Sequence, residues 1–326
     1  MQIGHHQLPN NILLAPMAGI TDNPFRRLCT QFGAGLTVSE MLISNTDLQH
    51  HPRTLKKADF SGEIGLRSVQ ILGTDPEQMA AAARLNQDRG AQIIDINMGC
   101  PAKKVCSVAA GSALLKDEAL VERILSRVVQ AMEIPVTLKI RTGWDLAHRN
   151  ALKIAQIAEN CGIQALTIHG RSRACKFNGF AEYDTIKQVK RSVSIPVIAN
   201  GDIDSPEKAL HVLNYTGADA IMIGRASQGK PWIFKEIANK LSGNDNAPTI
   251  SLSEIKAVIN QHLDNLYSFY GSTSGVRIAR KHIGWYFDRL GSLSAEQKRQ
   301  INQAQQPAHQ LALVNASFNF ITSRVA

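Results

Sequence analysis

The chain has 326 residues, room for one large domain or a large and a small one. Lys and Arg number 36 against 27 Asp and Glu, and the formal charge of +9 favours polyanionic partners such as nucleic acid. The five cysteines are irregularly spaced with no C-x-x-C pair, no run approaches the roughly 18 apolar residues of a membrane span, and the first residues lack a signal-peptide pattern. These features argue against a disulfide framework, a zinc ribbon and a membrane protein, and predict a cytoplasmic chain with reduced thiols and no metal.

From residue 11 a grammar repeats: a short apolar run ends in Gly, Pro or a polar residue, and a helical stretch follows. The runs are NILLAPMAG (11–19), GLTVSEML (35–42), GLRSVQILG (65–73), AQIIDINMG (91–99), IPVTLKIR (134–141), ALTIHG (165–170), IPVIANGD (195–202) and ADAIMIGR (218–225). Between them, DPEQMAAAARLNQDRG (75–90) carries an Asp cap, a first-turn proline and a closing Gly, and SPEKALHVLNYTG (205–217) repeats the pattern. Eight strand–helix units over about 230 residues predict an α/β fold, the (β/α)8 TIM barrel. A doubly wound sheet would show about five or six strands and a G-x-G-x-x-G turn, which is absent. After Trp232 the strand signal stops, so residues 1–240 read as the barrel and 241–326 as a small α-helical domain. The latter carries eight Lys/Arg against five Asp/Glu, which leaves most of the basicity on the barrel.

Active sites of such barrels lie at the C-terminal ends of the strands. There the sequence places Pro16, Met17 and Ala18; Glu40; Gln70; Asn97 and Cys100; Lys139 and Arg141; His169 and Arg171; Asn200, Gly201 and Asp202; and Gly224 and Arg225. Each alone reads as a capped strand end, but so many polar groups at one rim predict a bound ligand. The last two strand ends, ANGD and IGR, offer free amides, glycines for close approach and a guanidinium, which suits a phosphate. Lys139 ends an apolar strand and needs an anionic partner or a depressed pKa. It serves either a Schiff base or the negative edge of a cofactor, and Gln70 beside it favours a flavin. Cys100, held between Gly99 and Pro101, reads as a small buried apolar residue or as a catalytic thiol, and the strand end favours catalysis.

The combination LAPMAGITDNPFR, SVQILGTDPEQMA, IDINMGCPAKKV, VTLKIRTGW, LTIHGRSR, VIANGDI and MIGRASQGKPWIF resembles the tRNA-dihydrouridine synthases, most closely their bacterial B-type group. The resemblance extends into the helical region at RIARKHIGWY and covers nearly the whole chain. It implies an FMN barrel that uses NADPH, or NADH, to reduce the uridine C5–C6 double bond in tRNA; nothing in the sequence demands an oligomer, and a monomer is expected. It also implies that Pro16, Met17 and Ala18 pack on the isoalloxazine and that Gln70 and Lys139 meet its polar edge. Asn200, Gly201, Asp202, Gly224 and Arg225 hold its ribityl phosphate, and His169 lies against cofactor and substrate. Cys100 then matches the general acid, with Asn97 and Arg141 at the uracil. A proton donor needs an unlowered pKa, so Lys103 and Lys104 are assigned to the tRNA backbone rather than to thiol activation. Arg171, Arg173, Lys176, Arg277, Arg280, Lys281 and Arg289 join them, with Trp285 and Tyr286 as base-stacking candidates. The competing readings are a dihydroorotate dehydrogenase-type FMN barrel, a non-catalytic RNA-binding protein and a Schiff-base aldolase.

Overall fold

A computed structural model describes residues 1–45 and 51–322 of the chain. A small antiparallel hairpin, β1 (Gln2–Ile3) and β2 (His6–Gln7), comes first and has no counterpart in the sequence-based expectations. Then follow β3 (Ile12–Leu14), β4 (Leu36–Val38), β5 (Leu42–Ile43), β6 (Arg67–Leu72), β7 (Ile93–Met98), β8 (Val136–Arg141), β9 (Ala165–His169), β10 (Val197–Asn200) and β11 (Ala220–Ile223). All pair in parallel, and β4 joins both β3 and β6, so the sheet closes into a barrel. Strands β4 and β5 are two halves of one stave, interrupted at residues 39–41 where Glu40 sits.

Side-chain alternation sorts the barrel residues. Ile94, Ile96 and Met98 of β7 face outward into the apolar layer shared with the surrounding helices, whereas Ile93, Asp95 and Asn97 face inward. Ile3 and Leu8, from the hairpin and the residue after it, pack with Leu36, Ile93, Ala165, Ile198 and Ala220, filling the barrel's interior at the end remote from the strand C-termini. The inward polar groups Gln70, Asp95, Asn97 and Lys139 lie toward the opposite rim.

The outer helices are α1 (Asn23–Gln31), α2 (Pro52–Lys57), α3 (Pro76–Asp88), the one-turn α4 (Lys103–Cys106), α5 (Glu118–Gln130), α6 (Ala151–Asn160), α7 (Asp184–Ser192), α8 (Pro206–Thr216) and α9 (Ile233–Leu241). The caps read from sequence are in place: Asp75 accepts from the Gln78 amide at 2.8 Å, and Ser205 from Lys208 at 3.1 Å, each ahead of a first-turn proline. Beyond them lie α10 (Leu252–Leu290), started by a Ser251–Glu254 capping box and broken at Gly271, then α11 (Ala295–Gln303) and α12 (Pro307–Thr322). The predicted helical stretch extends past residue 322, where it lies outside the described residues. These helices share an apolar cluster of their own, including Ile259, Leu263, Ile283, Phe287 and Phe318, which reaches Leu28 of α1 and Trp232. No helix among the described residues is long and apolar enough to cross a membrane.

Candidate active site

A cleft of about 900 Å³ opens at the C-terminal rim of the barrel. Pro16, Met17, Ala18, Gln70, Asn97, Cys100, Lys103, Lys139, Arg141, His169, Asn200, Gly201, Asp202, Gly224 and Arg225 all line it, with Lys176 and Arg289 at its edge. Seven strand ends therefore converge on one space, as their register requires: Asn97 lies beside Lys139, Arg141 beside His169, and His169 beside Asn200.

The floor is a chain of hydrogen bonds. Asp95, fully enclosed, accepts from Gln70 Nε2 at 2.6 Å and from Thr137 Oγ1 at 2.7 Å. Burial raises the Asp95 pKa, opposed by those two bonds and the charge of Lys139. Asn97 Nδ2 donates to Gln70 Oε1 at 2.7 Å, and Asn97 Oδ1 accepts the Gly99 and Cys100 amides at 3.1 and 3.0 Å. Asn97 thus ties the floor to the turn that carries the thiol. Sequence reasoning missed Asp95, although period-two alternation from Asn97 puts it on the same inward face.

Lys139 Nζ donates to Asn200 Oδ1 at 2.9 Å, and Asn200 Nδ2 donates to the Met222 carbonyl at 2.8 Å. Burial lowers the lysine pKa to about 8, against the pull of Asp95 and with the push of Arg141. Arg141 is 2% exposed and donates to three carbonyls: Gly99 at 2.9 Å, Ser172 at 3.0 Å and Lys176 at 2.7 Å. Burial, then the neighbouring Arg171 charge, brings it down to about 10. His169 is held well below the ordinary imidazole value, first by burial and then by Arg141, Lys139 and the other cations, so it is neutral at pH 7. Cys100 is half-buried, and burial raises its pKa against a hydrogen bond from the Ala102 amide.

At the last two strand ends, Arg225 extends over the Phe177 ring, 5.2 Å from its centroid, and reaches Asp202 at 2.9 Å. Asp202 also takes both branches of Arg171, at 2.8 and 2.6 Å, and the Ala181 amide at 2.8 Å. Burial pushes this carboxyl up, but the Arg171 bonds outweigh it and hold it below the usual range. Asp202 therefore orients two guanidinium groups. Gly224 lines the cleft with bare backbone, and a Cβ there would lie at ordinary contact distance, 3.7 Å, from Ala15 and Met17.

Several surface assignments need correction. Arg171 is 3% exposed and saturated by Asp202 and by the Asn178 and Gly179 carbonyls, so it faces the protein rather than a nucleic-acid backbone. Lys281 is half-buried and donates to the Gly19 carbonyl. Tyr286 is 1% exposed, enclosed against Trp232 and His262, because its face of α10 is the one packed on the barrel. Arg280 is half-buried, with Ala304 O at 3.4 Å. Lys103, Lys104 and Arg277 are exposed, and of these only Lys103 lines the cleft. Phe177, an aromatic lining the cleft, is 55% exposed, and Phe180, three residues on, is 94% exposed; the polar loop SRACKFNGF has no period to mark them. Among the described residues no group of three or more His, Cys, Asp or Glu side chains is placed to hold a metal.

Residues 13–322 match the family model described as dihydrouridine synthase (Dus). The chain is 57% identical over 318 residues to a protein of Serratia marcescens named tRNA-dihydrouridine synthase B, covering 98% of this chain and 95% of that one. A Yersinia pestis protein of the same name is 56% identical over 318 residues, covering 98% and 99%, and one of Shewanella oneidensis is 56% identical over 324 residues, covering 98% of each. Among solved structures, histamine dehydrogenase from Rhizobium sp. 4-9 superposes with a TM-score of 0.59 at 12% identity, over 99% of this chain and 64% of that one, a likeness of fold.

Proposed function

The chain belongs to the dihydrouridine synthase family, and on that footing we propose that it is a flavin-dependent tRNA-dihydrouridine synthase. In this reading residues 1–240 bind FMN, take electrons from NADPH or NADH and reduce the C5–C6 double bond of specific uridines, while residues 241–326 help to seat the tRNA. The observation that carries the reading is Cys100: a half-buried thiol with a raised pKa, presented by the Gly99–Pro101 turn at the rim of a polar-floored cleft.

The residues present fit an FMN. Lys139 is an inward ammonium hydrogen-bonded to an amide oxygen, able to donate to the polar edge of an isoalloxazine. Gln70 has spent one N–H and one lone pair on Asp95 and Asn97, which leaves a donor and an acceptor for an imide. Gly224 and Arg225 both line the cleft, and a backbone without a side chain beside a guanidinium suits a phosphate. When bound, FMN supplies the hydride that reaches uracil C6.

The protein's own groups do the rest. The target base must leave the tRNA stack to enter the cleft, because its C5–C6 bond is out of reach within the folded nucleic acid. Cys100 keeps its proton at neutral pH, because burial raises the cost of its thiolate, and delivers it to C5 as charge builds there. Arg141 holds the Gly99 carbonyl at 2.9 Å, fixing the height of the Cys100 turn, and places positive charge beside the pyrimidine. Neutral His169 offers a hydrogen bond without adding a further charge to this cationic pocket.

The test is chemical. Dihydrouridine should be missing at defined positions in tRNA from a strain lacking the gene, and the purified yellow protein should restore it with FMN and NADPH. Unchanged dihydrouridine in that strain, together with no activity of the protein on its tRNA, overturns the proposal.

A further inference from the structure

Pro16, Met17, Ala18 and Ile20 line one side of the cleft, and Gly19 between them is held through both of its flanking peptides. Its N–H donates to Glu40 Oε2, from the interruption between β4 and β5. The Gly19 carbonyl accepts from Lys281 Nζ, from the second half of α10. Glu40 is 4% exposed and Asp22, close by, is 1% exposed. Asp22 caps α1 through the Phe25 amide at 3.0 Å and accepts the Tyr270 hydroxyl at 3.0 Å, so a second residue of α10 enters the same cluster. Two enclosed carboxylates thus face a single ammonium, and that ammonium comes from the helical region. Burial raises Asp22 to about 6 and lowers Lys281, and each moderates the other's shift. Gly19 itself is left-handed, φ +73°, and a Cβ there would lie 4.0 Å from Lys281 Nζ, so the lysine closes directly over the turn.

We propose that Lys281 is a positioning residue for the cofactor: by gripping the Gly19 carbonyl opposite Glu40, it makes the helical region a structural part of the flavin site. This rests on the reading of the cleft as an FMN site. The physical argument is one of charge balance. Without the ammonium, two buried carboxylates lose their counter-charge, and the Gly19 carbonyl loses its donor. The wall carrying Pro16, Met17 and Ala18 is then free to shift, and shifts of about 1 Å at a positioned ligand are costly. Lys281 acts through Gly19 and is itself absent from the cleft lining.

Lys281→Met, Lys281→Arg and Glu40→Gln separate the outcomes, each purified as the full chain, stripped of flavin and titrated with FMN by fluorescence. Lys281→Met should bind FMN about tenfold or more weakly, as loss of an orienting group typically does. It should also shift the bound flavin's visible absorption and lower kcat with little change in KM for tRNA. Lys281→Arg, which keeps charge and donor, should restore most of the affinity. Glu40→Gln combined with Lys281→Met should cost less than the sum of the two single changes, because both act on the one residue Gly19. Unfolding midpoints of the stripped proteins identify any variant that merely fails to fold, and Lys281→Arg then carries the comparison. Should Lys281→Met bind FMN as wild type does, with a raised KM and a salt slope for tRNA binding reduced by about one, Lys281 instead meets the nucleic-acid backbone and the proposal is wrong. Wild type that binds no FMN at all would instead sink the reading of the cleft.

Discussion

Cys100 can protonate carbon only if its thiol is still a thiol when a pyrimidine reaches it. Its surroundings are compatible with the proposed proton-donor role: burial raises its pKa and outweighs the Ala102 amide, which would stabilise the thiolate. Lys103 and Lys104, next in sequence, are exposed to solvent rather than turned to the sulfur. Cys100→Ala should retain FMN and oxidise NADPH, yet reduce uridine about 10²–10⁴-fold more slowly, the range for loss of a general acid. Single-turnover dihydrouridine formation measures this, and a wild-type rate removes Cys100 from the mechanism. Since the folded pKa is raised, the alkaline fall in that rate should lie above the ordinary thiol titration, not below it.

Among the elements, the site depends on how strand ends are pinned. The β10 end is an example. Gly201 has φ +121°, its carbonyl accepts the Tyr183 hydroxyl at 2.7 Å, and a Cβ on it would come within 2.8 Å of both Ala181 and the His169 ring. Gly201→Ala should therefore cost about 1–3 kcal/mol in unfolding free energy, from strain and overpacking together. It should also displace His169 and thereby weaken flavin binding. Urea unfolding checks the first effect, and an unshifted midpoint would show that the turn relaxes freely. The interruption between β4 and β5 is a second case: an irregular stave turns Glu40 toward Gly19 where an unbroken strand would have continued the ladder.

For the whole molecule, two features reach beyond the cleft. His262 and His282 are buried where α10 meets Phe25 of α1, their rings 4.7 Å apart, and His262 Nδ1 lies 3.0 Å from the Tyr286 hydroxyl. Burial depresses His262 from 6.5 to about 3, and His282 falls well below its ordinary value for the same reason. Both are neutral when folded, so the unfolded chain binds more protons below pH 6.5. Their contribution is full above that pH and is lost as pH falls toward about 3. Replacing His262 by Gln, which does not titrate, should flatten the acid limb of the Tm–pH profile across that window; an unaltered limb would show that the imidazole is not responsible. The second feature is charge. With +9 overall, tRNA affinity should fall steeply with salt, and Lys103→Ala with Lys104→Ala should reduce the log–log slope by about one for each phosphate no longer neutralised. An unchanged slope would place the backbone elsewhere.

The barrel, the helical region after it and most of the polar residues that line the cleft could be read from the order of amino acids alone. These are local matters: hydrophobic runs that end in Gly, Pro or polar groups mark strand ends, Asp-Pro and Ser-Pro mark helix starts, and a barrel sends all its strand C-termini to one rim. Which charges are free was settled by folding. Arg171, Lys281 and Arg277 read alike in sequence, yet the first is spent on Asp202, the second on Gly19, and the third is exposed. A guanidinium or ammonium carries the same pattern whether it meets water or a buried carboxylate, and its partner lies far away in the chain: 31 residues for Arg171 and 262 for Lys281. Packing, not pattern, brings those partners together, which is why the network under the site was legible only where strand alternation happened to reveal it.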